Sequence, residues 1–88
     1  MAEASKSGTV AVPGFPRITH SPRVMGGKAC IRGMRVTVSM ILGNLGSGTT
    51  IDELLASYDY LERDDIMESL RYAAWLASQR EVMFESAA

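Results

Sequence analysis

One stretch constrains this 88-residue chain more than any other: Arg17 to Val38, RITHSPRVMGGKACIRGMRVTV, with five basic residues, no acidic one, and glycines at 26, 27 and 33. Its apolar residues come in short β-prone runs cut by turn-formers, a pattern too broken for a helix. Ile18-Thr19 is stopped by Ser21-Pro22, and Arg23-Val24-Met25 leads into Gly26-Gly27, a two-glycine turn signal of the hairpin kind. Around Gly33, Ile31 and Val36 share one apolar side while Arg32 and Arg35 stay wet. The spacing predicts a small, irregular β unit over 17–36.

From Val38 the period changes. Val38, Ile41, Leu42 and Leu45 fall at i, i+3, i+4 and i+7, one face of a helix. Thr37 is its expected N-cap, and Gly46 is expected to end it in a left-handed conformation. Thr50 and Glu53 spell a capping box ahead of a second stripe, Ile51, Leu54, Leu55 and Tyr58. A third helix is expected from about Glu62 to Arg80 or beyond, burying Ile66, Leu70, Ala73 and Ala77, with Glu62, Asp64 and Asp65 at its positive dipole end. Residues 1–16 read as a flexible arm, in which Thr9 to Val12 would pair as an edge strand if offered a partner. Residues 17–80 form the folded domain and 81–88 a C-terminal tail. The expected fold is mainly α with a small N-terminal β unit, and its second and third helices outline a helix-turn-helix-like three-helix domain.

A chain of this length makes one domain and buries only about 60% of its unfolded surface, so oligomerisation is a common remedy. No apolar run approaches the roughly 20 residues of a membrane span, and the first residues lack a signal-peptide pattern. The single cysteine, Cys30, excludes an intramolecular disulfide and fits a reducing cytoplasm. The net charge of −1 hides an asymmetry: residues 1–48 carry six Lys/Arg and one acid, residues 49–88 three Arg and nine acids. Two readings stand. The basic half steers towards phosphate, or the halves attract each other within the fold or a dimer.

No catalytic constellation is present. One histidine, His20, and one cysteine, Cys30, are too few for a zinc site, and nothing obvious orients them as a nucleophilic pair. The glycine spacing fits no phosphate-loop motif and reads as turn geometry. The acids Glu62, Asp64, Asp65 and Glu68 read as helix-start charge and solvated surface. No cofactor and no enzymatic activity are expected.

Several motifs occur together in order: Ile18, Pro22, Gly26-Gly27-Lys28-Ala29, Ile31-Arg32-Gly33-Met34-Arg35, Val36-Thr37-Val38, Gly48, Glu53-Leu54-Leu55 with Tyr58, Asp65-Ile66, and Leu70 with Tyr72-Ala73. In this the stretch from Ile18 to about Ala74 resembles the bacterial domain-of-unknown-function family 433, whose members are predicted antitoxins. Ala29 stands where the family often has Pro, and Glu62 where a Ser or Thr N-cap is usual, which should weaken the start of the third helix. The resemblance implies a cytoplasmic, helix-turn-helix-like homodimer, the antitoxin half of a type II toxin–antitoxin pair. Its usual partner would be a PIN-like ribonuclease toxin, and operator DNA a second one; a stand-alone dimeric DNA-binding regulator is the alternative.

Candidate DNA-backbone contacts are Arg23, Lys28, Arg32 and Arg35, unless they are solvated strand edges with an arginine paired to acids of the third helix. The third helix itself opens on Glu62-Arg63-Asp64-Asp65, a poor surface to present to phosphates. Candidate partner-binding residues are Trp75, Leu76, Val82, Met83 and Phe84, apolar groups beyond what a three-helix core needs. The competing reading lays them over the β unit of the same chain.

Overall fold

A computed structural model describes residues 8–87, with side chains described as far as Glu81. Three short strands precede three helices: β1 (Val10–Val12), β2 (Phe15–His20), β3 (Cys30–Ile31), α1 (Val38–Gly46), α2 (Ile51–Ser57) and α3 (Arg63–Ala87). The sheet is antiparallel in the order β1-β2-β3. Residues 1–7 of the expected arm lie outside the described residues. Its remainder does form the edge strand, with a partner inside the chain, pairing Val10 with His20 and Ala11 with Thr19. No described helix is long and apolar enough to cross a membrane.

The glycine turns differ from the expected hairpin. Gly26 and Gly27 (φ 67° and 85°) sit at the end of a single 3-10 turn, Met25–Gly27, within the longer link between β2 and β3. The tight two-residue turn lies instead at Arg32-Gly33, where the Met34 N–H donates to the Ile31 carbonyl (2.8 Å) and both central residues have positive φ, 47° and 74°. Such a turn matches the twist of paired strands. Glycine accepts that geometry freely, whereas for arginine it is uncommon.

The first two helices start as their capping residues dictate. Thr37 Oγ1 accepts from the Met40 N–H at 3.1 Å. At α2 both halves of the capping box close, Glu53 N–H to Thr50 Oγ1 at 3.1 Å and Thr50 N–H to Glu53 Oε1 at 2.8 Å. The left-handed residue after α1 is Gly48 (φ 101°), two positions past the expected Gly46, which remains in the helix.

Helix α3 is turned relative to its expected face. Ile66 is buried and Ala73 half-buried, but Leu70 is 37% exposed and Ala77 exposed. The buried line runs through Asp65, Ser69 and Tyr72 instead. The cause is polar: Asp65 is drawn inward by two arginines, and Ser69 Oγ then donates back to the Asp65 carbonyl at 2.9 Å. The core gathers Ile18 and Ile31 from the sheet, Val38 and Ile41 from α1, Leu54 from α2 and Ile66 from α3. Each fully buried aliphatic side chain contributes about 1.5–3 kcal/mol. The helix also continues through the expected tail to Ala87.

Candidate functional site

The basic stretch divides into two groups. Arg17, on β2, and Arg32, in the left-handed turn, converge on Asp65 in the first turn of α3. Arg32 grips it with a fork, Nε to Oδ1 at 2.9 Å and Nη2 to Oδ2 at 2.8 Å, while Arg17 Nη1 reaches Oδ1 at 2.8 Å. The Glu62 N–H adds a fourth bond to Oδ2 at 2.8 Å. The carboxylate, 0% exposed, is thereby saturated. The last contact also repairs the weak helix start: Glu62 stands at the N-cap without a hydroxyl, and Asp65, three residues on, caps its N–H.

Around this hub Arg17 also reaches Glu62 Oε1 at 2.7 Å, and its backbone N–H donates to the buried Glu68 carboxylate. Arg32 Nη2 further holds the Tyr60 carbonyl at 2.9 Å. Burial pushes the Asp65 carboxyl up, but Arg32, the Glu62 N–H and Arg17 together outweigh it and hold the group below the usual carboxylate range. The Arg17 guanidinium is pushed up by Glu62 and then by Asp65. The acids at the start of α3 are therefore only partly solvated surface: Glu62 and Asp64 are exposed, whereas Asp65 and Glu68 are buried ion-pair partners.

Arg32 thus departs from the candidate DNA contacts, because its guanidinium is committed to Asp65 and Tyr60. Arg23, Lys28 and Arg35 are exposed. Lys28 stands at the rim of a groove, and Arg35 beside Met34 and the half-exposed Tyr60.

Of the apolar candidates, Trp75 is 45% and Leu76 43% exposed. Val82, Met83 and Phe84 lie outside the residues whose side chains are described. Trp75 partly covers the β unit, as the competing reading had it. Its ring lies 5.8 Å from that of Phe15 and stacks on Tyr72 at 6.2 Å, while Phe15 meets Tyr72 edge-on at 5.3 Å. Leu76, about 100° further round the helix, instead lines an apolar groove of about 370 Å³ with Tyr72, Val38, Leu42 and Ala29.

The sequence reading that paired an arginine with acids of the third helix is met by Arg32 on Asp65, whereas Phe15 and Arg17 were missed as members of these surfaces. Arg17 was separated from its acids by more than 40 residues. The one available signal was an acid at the third helical position behind an N-cap without a hydroxyl. His20 Nδ1 lies 2.8 Å from the Gly27 carbonyl, to which it donates. Burial pushes the Cys30 thiol up against the pull of Arg35 and Lys28. No metal-binding cluster occurs among the described residues.

The family described as protein of unknown function (DUF433) matches residues 18–73, a span that includes Arg32 and Asp65 of the hub and Tyr72 of the groove but not Arg17, Trp75 or Leu76. The chain is also similar to the crystal structure of a DUF433 member protein from Anabaena variabilis ATCC 29413, solved at 2.00 Å resolution. The two share 32% identity with a TM-score of 0.66 over 76% of this chain and 68% of that one. Comparison with curated proteins gives no match.

Proposed function

The chain belongs to the DUF433 family, and from that premise we propose that it is the antitoxin of a bacterial type II toxin–antitoxin pair, which binds a PIN-like ribonuclease and inhibits it by occlusion. The observation that carries this reading is the aromatic group Phe15–Tyr72–Trp75, with Trp75 45% exposed and braced on two rings. A large side chain already held in place loses little entropy on docking, and tryptophan is a frequent anchor of protein interfaces. The antitoxin works in the cytoplasm, its α2 and α3 arranged as a helix-turn-helix-like scaffold.

Operator binding for autoregulation falls to Arg23, Lys28 and Arg35, which project from the β unit and the turn before α1. The start of α3 is acidic and its arginine partners are spent on it, so the β unit rather than α3 faces the DNA. The alternative, a stand-alone DNA-binding regulator, rests on the same three exposed cations.

Affinity capture of the tagged chain from host lysate separates the two. The antitoxin reading expects a stoichiometric small partner with clustered Asp residues, lost from the Trp75→Ala variant although that variant keeps the circular dichroism of the folded chain and loses only several degrees in melting temperature with its contacts to Phe15 and Tyr72. Recovery of the chain only with itself, together with DNA binding that weakens steeply with salt, would favour the regulator. Retention of the partner by Trp75→Ala would refute the mapping.

A further inference from the structure

The groove between α1 and α3 is apolar but not wholly so. Val38 and Leu42 of α1 and Leu76 of α3 supply hydrocarbon. Its volume, about 370 Å³, lies in the lower part of the range for small-molecule sites, about 300–1,000 Å³. Such sites pair an apolar lining with a few polar groups that fix the ligand's orientation. Lys28, His20 and Tyr72 line this one as well.

Two of them hold donors that the fold leaves unused. Tyr72 is 8% exposed, yet its hydroxyl has no hydrogen-bond partner among the described residues. No polar side-chain atom fully shut off from solvent lacks a partner among those residues, so this hydroxyl opens onto the groove that Tyr72 lines. Lys28 is exposed, and no carboxylate of the described residues lies within ion-pair distance of it, whereas Arg17, Arg32, Arg63 and Arg71 each have one. His20 commits Nδ1 to the Gly27 carbonyl and brings no negative charge. No acid is among the lining residues. An ammonium and a phenol are both answered by an acceptor-only group, and one unpaired cation matches a single negative charge.

We propose that this groove binds a free medium-chain aliphatic monocarboxylate. Its carboxylate accepts from Lys28 Nζ and from the Tyr72 hydroxyl, and its chain lies among Val38, Leu42 and Leu76. The antitoxin reading places its partner on Trp75, so this site stands without it.

Titration of octanoate into the isotope-labelled full chain, followed through its amide NMR signals, tests this, with octanol as the same tail without the charge. Saturable shifts should gather at Lys28, Leu42, Tyr72 and Leu76, with a dissociation constant of about 0.1–1 mM for a ligand of so few atoms. Octanol should bind about tenfold more weakly, and Lys28→Ala should erase that preference. Tyr72→Phe, which keeps the ring that packs on Phe15 and Trp75, should weaken octanoate about fivefold. Leu76→Asp, at a position 43% exposed, should abolish octanoate binding with circular dichroism unchanged. The absence of saturable shifts up to about 10 mM, shifts centred on Trp75, or a preference for octanoate that survives Lys28→Ala would overturn the proposal. The C-terminal carboxylate of an apolar peptide is the other source of this chemistry, and tighter binding of acetyl-trileucine than of octanoate would overturn the free acid as occupant.

Discussion

Replacing Asp65 by asparagine, ordinarily a mild change, should be among the most damaging substitutions in this chain. Oδ1 accepts from Arg17 Nη1 and Arg32 Nε, and Oδ2 accepts from Arg32 Nη2 and the Glu62 N–H. An amide has one accepting oxygen. In either orientation its NH2 therefore faces two N–H donors, so no flip rescues the site. Breaking a buried ion pair from one side costs about 3–5 kcal/mol. Here the arginines are 28% and 35% exposed at the side chain and recover some hydration, which lowers the figure to about 2–4 kcal/mol. An 88-residue domain has a total stability of about 4–13 kcal/mol, so the loss is a large share of it. At about 4–8 °C per kcal/mol for a domain of this size, the melting temperature should fall by roughly 8–32 °C. Calorimetry of wild type, Asp65→Asn and Asp65→Ala reads this directly. An asparagine variant melting within about 4 °C of wild type, or recovering most of the alanine loss, would refute the saturated-carboxylate account.

The same carboxyl sets an acid limit: its folded pKa lies below the unfolded value of about 3.9. The unfolded chain therefore takes up its proton first, and this contribution is full above about pH 5 and drains away as pH falls through the folded pKa. Urea midpoints between pH 7 and pH 3 should drop in wild type and drop less in Asp65→Asn. Thr50→Ala removes one half of the α2 capping box and should cost about 0.5–2 kcal/mol in chemical denaturation. Gly33→Ala would place its Cβ in ordinary contact with Thr9, 3.9 Å from its Cγ2, but must hold φ near +74°; it should destabilise by about 1–2 kcal/mol, measured in the same way. Cys30, buried and with its thiol pushed up, should react with a thiol reagent only as fast as the chain opens.

What the sequence made legible was what local rules govern. Thr37, Thr50 and Glu53 marked helix starts because a cap is decided within four residues, and the stripes Val38–Ile41 and Leu54–Tyr58 followed from a period of 3.6. The pairing of β1 with β2 was legible only as an unassigned edge strand, since nothing in Thr9 to Val12 names its partner. Asp65 was hidden for a related reason. An acid in the first turn of a helix is satisfied by the dipole alone, and only the folded chain brings Arg17 and Arg32 to it from 48 and 33 residues away. That long-range attraction rotates α3, placing Leu70 outside and Asp65 inside, against hydrophobic periodicity. Arg32 shows the same limit: an exposed turn arginine and a buried-acid partner look alike until the acid is located.

The most direct test of the proposed role is inhibition itself. The partner captured with this chain, purified alone, should cleave RNA in the presence of Mg²⁺, and titration with the chain should abolish cleavage at a stoichiometric ratio, while Trp75→Ala at the same ratio should not. A partner without ribonuclease activity, or one whose activity is untouched by an excess of the chain, would contradict the antitoxin account.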